Sequence, residues 1–514
     1  MKGAYKVMKI MKKGFKIFCL LFLFLTIMSF FVYADNEQGG ILRYGVSIDL
    51  ITFDMCNYRS TVDFMFGSLV FDTLVTLDKN MDFVPNLATS WEKIDDLTWI
   101  FNLREGVKFT DGTPFNAEAV KISLERAAIT LKGKRFQGVI STVNILNDYK
   151  VEVKLKEPNA PFFQNLTMPT AAILSPTALE KYGDDLFRNP VGTGFFKLEE
   201  WIPNTHVILT RNEDHWGGAA KLEKVIFTPI PSEASRVMAF KSGDLDVIEN
   251  LPAHEVPVVQ EDPNFKLMIV PQLRTVWVGF NCSDPILANQ KVREAIAHAI
   301  DRRSIIEFTM ENLAREANLG LLPPEVMKTD PPLSLNYDPE LSKKLLAEAG
   351  YKDGLKLQLW SPEGRYAKDV EIAQVVQGQL KEVGIDVEVR IMEYGSYFDA
   401  INRGEQQLFI LGWQITKNPD AFFRACFHSA NESVSNSVFY ANPEVDRIID
   451  ETAKLGDEEE INKNYYDLNK IIIEDAVVFP IYYTQMIYGI NEKVEGFLGL
   501  PNETIDLSKT WIRD

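Results

Sequence analysis

Lys356-Leu-Gln-Leu-Trp360 and Asp386-Val-Glu-Val-Arg-Ile391 flank a helical pattern over residues 367–383, and this stretch decides the fold class of the chain. Both short runs place apolar side chains at every second position, which is typical of strands. Gly384 stands where the helix between them has to end. Strand, helix and strand in this order predict a βαβ unit with parallel strands. The sequence therefore predicts an α/β protein.

Two other stretches predict where the chain passes between domains. We interpret residues 270–284, which include the apolar run Thr275-Val-Trp-Val-Gly-Phe280, as a crossing between two α/β lobes. A strand over residues 478–490 is the candidate for the return crossing. The length of 514 residues implies two to four domains.

The overall charge excludes one class of partner. The chain has 72 acidic and 54 basic side chains and a formal net charge of -18. Nucleic acid binding requires a basic surface, so no nucleic acid partner is expected.

Four Cys without a C-x-x-C pair predict neither a disulfide scaffold nor a structural zinc site.

The first 34 residues have the composition of an export signal. They contain six Lys and no acidic residue, and an apolar run begins at Ile17 and ends before Val32-Tyr33-Ala34. This order predicts a cleaved secretory signal peptide over residues 1–34, with an uncleaved membrane anchor as the alternative. Cys19 lies at the start of the apolar run rather than after it, so no lipobox is present and a free periplasmic protein is expected.

Three cysteines remain after this signal: Cys56, Cys282 and Cys426. In an oxidising compartment an odd number allows at most one bridge within the chain. Cys282 with Cys426 is the candidate pair, and three buried thiols are the alternative.

Reaction motifs are absent from the sequence. It contains no phosphate-binding loop, no H-E-x-x-H and no G-x-S-x-G, and Val191-Gly-Thr-Gly-Phe-Phe196 lacks the third Gly of a dinucleotide fingerprint. We therefore predict neither an enzyme nor a cofactor. An exported α/β protein of this kind is expected to bind a ligand between its lobes.

Ordered strings in the chain resemble the peptide/nickel type of extracellular solute-binding protein of ABC importers. The matching strings include Val84-Pro-Asn-Leu-Ala-Thr-Ser-Trp-Glu92, Glu105-Gly-Val-Lys-Phe-Thr-Asp-Gly-Thr-Pro-Phe115, Asn189-Pro-Val-Gly-Thr-Gly194, His215-Trp-Gly-Gly218, Ser242-Gly-Asp-Leu-Asp-Val247, Ala299-Ile-Asp-Arg302 and Tyr440-Ala-Asn-Pro-Glu-Val-Asp446. The resemblance extends from about residue 40 to the C-terminus.

The resemblance implies a two-lobed periplasmic binding protein fold of type II, with an extra domain inserted in lobe I. Lobe I is expected over residues 35–80, 190–275 and 490–514, the inserted domain over 81–189, and lobe II over 276–489. Members of this family close over a ligand by hinge bending and present it to an ABC permease in the inner membrane. The protein is accordingly expected to act as a monomer.

The resemblance also indicates ligand-binding residues in lobe II. Arg365 occupies the place where dipeptide-binding members bind the peptide carboxylate; the alternative is a surface ion pair with Asp369 or Glu363. Gly412 and Trp413 form the Gly-Trp pair of a second binding segment, in which Trp413 would stack on the ligand or belong to the core instead.

That second segment departs from the peptide-binding pattern. An Asp normally clamps the ligand ammonium there, whereas this chain has Thr416, or Ile415 if the alignment gap falls elsewhere. The first carboxylate is Asp420, at the Pro-Asp end of the motif. Burying an ammonium without a charged partner is costly. The departure favours a glutathione-type ligand over an ordinary α-amino peptide.

Four further residues are weaker candidates. Tyr58 lies in the loop after the first strand of lobe I, and Tyr394 follows the βαβ unit. Arg274 at the crossing is a candidate for a second ligand carboxylate, with a structural ion pair as the alternative. His428 lies in a loop comparable to the one that carries a His in nickel-binding relatives, but a single His is more often an ordinary loop residue, so no metal site is predicted.

The first functional hypothesis is an exported binding protein for dipeptides, oligopeptides or glutathione-type ligands. The alternative within the same fold is a binder of nickel or another metal chelate. A sensor that presents the ligand to a receptor and a secreted hydrolase are the remaining hypotheses, and the hydrolase has the least support.

Overall fold

The computed structural model describes residues 39–513, apart from residues 59, 130–135, 137 and 328–332. The signal peptide predicted over residues 1–34 lies outside the described residues.

One sheet of eleven strands runs through both lobes. Its middle consists of two long antiparallel strands, Phe265–Phe280 and Val478–Asn491, which we call the crossing strands. Their pairing extends from Phe265 opposite Asn491 to Gly279 opposite Val478 and is irregular between Pro271 and Thr275. The two stretches predicted as the crossing and its return thus both form strands, and these strands pair with each other at the middle of the sheet.

Lobe I lies on one side of the crossing strands. Its first strand, Ile41–Val46, is parallel to Lys224–Pro229 and to Val247–Ile248. The other strands of this lobe are Phe196–Ile202, His206–Arg211, Val494–Glu495, Leu498–Gly499, Ile505–Asp506 and Trp511–Ile512, and the helices are Thr61–Val70, Pro176–Tyr182, Gly183–Phe187, Glu233–Lys241, Ala253–Glu255 and Val256–Glu261.

A separate four-stranded antiparallel sheet forms the part of the chain predicted as the inserted domain. Its strands are Ala88–Asp95, Thr98–Leu103, Ile140–Asn147 and Lys150–Leu155, and its helices are Ala117–Ile129, Phe162–Asn165 and Pro169–Ala171. The helix Ala117–Ile129 begins after Asn116, whose Oδ1 accepts the backbone N–H groups of Glu118 and Ala119. This sheet and helix enclose their own apolar core.

Lobe II lies on the other side of the crossing strands and contains the predicted βαβ unit. Leu355–Pro362 and Ile385–Met392 are parallel strands joined by the helix Asp369–Glu382, so this prediction is confirmed. The remaining strands are Arg315–Glu316 and Leu408–Gln414, and the remaining helices are Gln290–Ala299, Arg302–Ser304, Ile305–Thr309, Pro339–Glu348, Tyr394–Asn402, Asp420–Phe427, Ser429–Asn431, Pro443–Thr452 and Glu458–Glu474.

A hairpin of lobe I reaches lobe II. Its strands, Val75–Leu77 and Phe83–Pro85, pair across residue 81, where we expected the inserted domain to begin. At the tip, Met81 is 2% exposed and packs in the lobe II core that contains Trp277 and Leu321. The carboxylate of Asp82 lies 3.8 Å from Nζ of Lys417, which follows the predicted ligand residue Thr416. The hairpin tip therefore joins lobe I to the segment expected to bind the ligand.

Gly192 and Gly194 belong to the scaffold. Neither has a positive φ. A Cβ at Gly192 would lie 2.1 Å from the carbonyl oxygen of Val70, and one at Gly194 would lie 2.6 Å from that of Leu69. Close packing of two backbones, rather than a turn, explains both glycines.

The candidate disulfide is wrong. Cys282 and Cys426 form no bridge and remain thiols, and Cys56 and Cys426 are buried. Burial raises the pKa of the Cys282 thiol to about 11, so it is protonated at neutral pH.

Within the described part of the chain, none of the helices combines the length and the apolar character needed to span a bilayer.

Candidate functional site

The candidate site begins at the carboxyl end of the lobe II strand Leu355–Pro362. In open α/β sheets the ends of parallel strands are where ligands bind. The loop that follows is held by Asp369, whose carboxylate accepts the backbone N–H groups of Gly364 at 3.3 Å, Arg365 at 2.9 Å and Tyr366 at 3.1 Å. Asp369 is 3% exposed. A buried charge thus fixes the backbone of this loop.

Arg365 projects from that loop with an exposed side chain. Its guanidinium carbon lies 4.9 Å from the ring centre of Tyr394 and 5.6 Å from that of Tyr366. Among the described residues no carboxylate lies within 4.0 Å of it, so the alternative interpretation, an ion pair with Asp369 or Glu363, does not occur. An unpaired guanidinium between two phenol rings can bind a carboxylate with two hydrogen bonds.

Tyr366 ties this loop to the second predicted binding segment. Its hydroxyl donates a 3.1 Å hydrogen bond to the carbonyl oxygen of Gly412. Burial raises the pKa of Tyr366 to about 12, so the phenol stays neutral. A Cβ on Gly412 would lie 2.8 Å from the Tyr366 ring, so the close packing of ring and backbone requires glycine there.

Arg274 enters the site from a crossing strand. Its Nη2 lies 2.9 Å from a carboxylate oxygen of Glu503, which belongs to the C-terminal segment of lobe I. The side chains of Arg274 and Glu503 are 11% and 9% exposed. Burial disfavours the charge of Arg274, but Glu503 outweighs this effect, and the pKa of Arg274 is raised. The ion pair proposed as the alternative for Arg274 therefore exists in the structure.

The Gly-Trp segment leaves the sheet beside Arg274. Trp413 and Gln414 pair with Thr275 and Arg274, and Trp413 is partly buried against the lobe II core. The Thr416 hydroxyl donates to the carbonyl oxygen of Asn418 at 2.6 Å, so it stabilises its own loop. Part of the Trp413 side chain remains exposed to solvent, whereas the Thr416 hydroxyl already donates its hydrogen within its own loop.

Two predicted residues belong to a different cluster in lobe II. Arg424 pairs with Asp420 at 3.2 Å and with Asp450 at 2.7 Å. The imidazole of His428 lies 3.4 Å from Asp450 and 3.7 Å from Asp446. These contacts join the helices Asp420–Phe427 and Pro443–Thr452. The structure does not bring Asp420 and His428 together with Arg365.

Tyr58 is part of the lobe I loop after the first strand. The ring centre of Tyr58 lies 6.5 Å from that of Phe64, and its side chain is half-buried. Asp63 holds the loop as Asp369 holds its counterpart in lobe II, since its carboxylate accepts backbone N–H groups from Ile51, Thr52 and Ser60. Each lobe thus carries a loop fixed by a buried acid at the start of the following helix.

The larger of two described cavities has a volume of about 500 Å³ and lies against a crossing strand. It is lined by Lys79, Asn80, Met81, Met268, Ile269, Val270, Pro271, Glu325, Leu498, Gly499 and Pro501. Its walls come from both lobes and include Pro501, two residues before Glu503. The backbone N–H of Leu273, next to Arg274, donates to the carbonyl oxygen of Pro501 at 3.2 Å, but Arg274, Glu503, Arg365 and Trp413 do not line the cavity. In the described ranges no group of three or more His, Cys, Asp or Glu side chains is arranged to hold a metal ion.

Comparison with known proteins decides the family. Residues 82–433 match the profile of the bacterial extracellular solute-binding proteins, family 5 middle region. This protein belongs to that family. The resemblance found in the sequence is confirmed, and so is the two-lobed periplasmic binding protein fold.

Individual relatives of this solute-binding protein have different ligands in their names. It is 29% identical to the glutathione-binding protein GsiB of Shigella flexneri, over 89% of this chain and 91% of that protein. It superposes on the Helicobacter pylori periplasmic binding protein DppA in complex with the peptide STSA with a TM-score of 0.78 and 27% identity, over 93% of this chain and 99% of that one. NikZ of Campylobacter jejuni in complex with Ni(L-His) gives a TM-score of 0.76 at 24% identity, over 91% and 97% of the two chains. The last likeness supports the fold alone.

Two residues of the site were not predicted as site residues. Glu503 is 229 positions from Arg274, and no local pattern distinguishes it from the other acids. Asp369 was considered only as an ion-pair partner for the Arg365 side chain. A buried acid at the start of a helix that follows a predicted binding loop is the signal that could have identified it.

Proposed function

We propose that this solute-binding protein captures peptides or peptide-like compounds of the dipeptide, oligopeptide or glutathione type and delivers them to an ABC permease. The observation that carries the proposal is Arg365, whose unpaired guanidinium is held at the carboxyl end of a parallel strand between two tyrosine rings. A ligand carboxylate is the group that this arrangement complements. Relatives that bear the names of glutathione and peptide binders support the same class of ligand.

We infer that the protein works outside the inner membrane, as a monomer released by cleavage of its signal peptide. Membership in an extracellular family and the basic and apolar composition of residues 1–34 support this location. Lobe closure would move the ligand out of water, which strengthens hydrogen bonds and ion pairs to it. The ligand is bound and released without chemical change.

Binding of a nickel or metal chelate is the second candidate. The NikZ likeness supports only a shared fold, and the imidazole of His428 is already engaged with Asp446 and Asp450. A metal would therefore have to arrive inside an organic chelator that itself offers a carboxylate to Arg365.

Native mass spectrometry of the purified protein, followed by calorimetric titration, tests the proposal. The panel is Ala-Ala, tetra-alanine, glutathione and Ni(II) with histidine. We expect at least one peptide or glutathione to bind with a micromolar or lower dissociation constant and to be recovered with unchanged mass. Binding of the nickel complex alone would favour the second candidate, and turnover of a bound peptide would show that the protein is an enzyme.

A further inference from the structure

The ion pair between Arg274 and Glu503 has unused hydrogen-bonding capacity. One bond of 2.9 Å joins Nη2 of Arg274 to Oε1 of Glu503. The other N–H groups of Arg274 and Oε2 of Glu503 have no partner among the residues that the structure describes. Both side chains are about nine-tenths buried. Buried donors and acceptors are normally hydrogen-bonded. Because these groups have no partner in the protein, they are available to a ligand.

The pair is linked through the sheet to the loop that carries Arg365. Tyr366, whose ring contacts the Arg365 guanidinium, donates its hydroxyl hydrogen to the carbonyl oxygen of Gly412, and Gly412 lies opposite Val276 on the strand that carries Arg274. Gln414 pairs with Arg274 in the sheet, and its amide donates a 3.3 Å hydrogen bond to the carbonyl oxygen of Asn502, next to Glu503. Lobe I and lobe II thus meet at this pair.

Glu503 is also the acid best placed to replace the missing ammonium clamp. Residues 414–419 contain no acid, and both carboxylate oxygens of Asp420 accept hydrogen bonds from Arg424, whereas only one oxygen of Glu503 is engaged. Glu249 is 6% exposed, and its Oε1 accepts both the backbone N–H and the hydroxyl of Ser47, at 3.0 and 2.6 Å. Glu503 has a φ of 67°, a conformation that is strained for a residue other than glycine and is common at functional sites.

The charges of Arg365, Arg274 and Glu503 define which charged groups a complementary ligand carries. Two guanidiniums and one available carboxylate match a ligand with two carboxylates and one ammonium group. We propose that Arg274 binds a second ligand carboxylate and that Glu503 binds the ligand ammonium, so that the site selects dicarboxylate peptides such as γ-glutamyl peptides. This inference rests on the proposed function, because it assumes that Arg365 binds the first carboxylate.

Calorimetric titration with three ligands tests the selection. Glutathione has two carboxylates and one ammonium, N-acetylglutathione lacks the ammonium, and the glycine ethyl ester of glutathione lacks one carboxylate. We expect the wild-type protein to bind either analogue at least tenfold more weakly than glutathione. Equal affinity for glutathione and N-acetylglutathione would overturn the assignment of Glu503 without any variant.

The variant Glu503→Gln then locates the ammonium site. It should weaken glutathione binding at least tenfold and leave N-acetylglutathione binding unchanged, so that discrimination between the two disappears. Asp246→Asn is the matched control, since Asp246 pairs with Arg43 and has the same 9% side-chain exposure as Glu503. The control should discriminate as the wild type does. Full discrimination by Glu503→Gln would refute the proposal.

The outcomes separate this inference from the proposed function. If the wild type binds Ala-Ala or tetra-alanine more tightly than glutathione, the selection for two carboxylates is wrong while peptide binding stands. If no member of the panel binds, the proposed function itself fails. Should Glu503→Gln not fold, the double variant Arg274→Met with Glu503→Met removes both charges together and should lose the same discrimination.

Discussion

The guanidinium of Arg365 stands 4.9 Å from the ring centre of Tyr394, at the start of the helix Tyr394–Asn402. Arg365 follows the first strand of the βαβ unit, and Tyr394 follows the second strand. Because those strands are parallel and adjacent, their carboxyl ends lie at the same edge of the sheet. The aromatic ring holds the long side chain in place while leaving its hydrogen-bond donors open.

Arg365→Ala should weaken ligand binding at least tenfold, or about 1.4 kcal/mol, because the ligand carboxylate loses its charged partner. Calorimetric titration with the ligand found in the panel measures the change. The control is Arg390→Ala, since Arg390 is also exposed and lies 4.5 Å from the ring centre of Trp360 in the same lobe. An unchanged dissociation constant for Arg365→Ala would remove this residue from the site.

Asp369→Asn should disturb the loop without touching the Arg365 side chain. A neutral amide replaces a carboxylate that accepts three N–H groups of that loop, and hydrogen bonds to a charged group contribute about 1.5–3 kcal/mol each. We expect weaker ligand binding together with a lower free energy of unfolding, measured by calorimetry and urea denaturation. Asp301→Asn, which changes a helix-capping acid in the same lobe, should leave ligand binding unaltered. Wild-type affinity in Asp369→Asn would show that the loop needs no such anchor.

Met81→Ala should weaken the contact between the lobes. Truncating a buried Met in a packed core costs about 2–5 kcal/mol, and here the core belongs to the other lobe. The radius of gyration of the ligand-free protein, measured by small-angle X-ray scattering, should increase, and added ligand should decrease it again. Met238→Ala is the control, because Met238 is 65% exposed. A scattering curve identical to that of the wild type would mean that the hairpin tip does not hold the lobes together.

His215 should make stability dependent on pH. Its ring stacks on Phe195 with 3.7 Å between ring centres, and burial lowers the pKa of His215 below its ordinary value, although Asp72 partly opposes this. The unfolded chain then takes up a proton more readily than the folded one. The contribution of neutral His215 to the free energy of unfolding is therefore fully present above about pH 6.5. It decreases as the pH falls through the lowered pKa of the folded state.

Thermal unfolding between pH 8 and pH 5 measures this effect. His215→Asn should be less stable at pH 8 but should lose less stability on acidification than the wild type. His254→Asn, in which the replaced side chain is 70% exposed, should keep the wild-type dependence. Parallel curves for the wild type and His215→Asn would contradict the prediction.

Local patterns were sufficient wherever one element determines its own structure. The alternation in the two strands around the helix Asp369–Glu382 predicted a parallel βαβ unit, because the period of apolar residues reflects which face is buried. Arg365 could be placed just after the carboxyl end of a parallel strand because the end of a strand is defined by the strand itself.

Contacts between distant residues could not be predicted in this way. Asp420 and His428 have polar side chains that suit a ligand site, but the packing of two helices pairs them with Arg424, Asp450 and Asp446. Met81 has the sequence context of an ordinary turn, and only the approach of the lobes buries it. Cys282 and Cys426 could have formed a bridge by number alone, whereas both remain thiols.

The sequence by itself determined the fold class, the family and the arginine expected to meet a carboxylate, because each depends on patterns carried by contiguous residues. The tertiary structure decided which charges are available, because that depends on the partners that folding brings close. Glu503 illustrates the difference: the role that we propose for it depends on a contact with Arg274, a residue 229 positions away in the sequence.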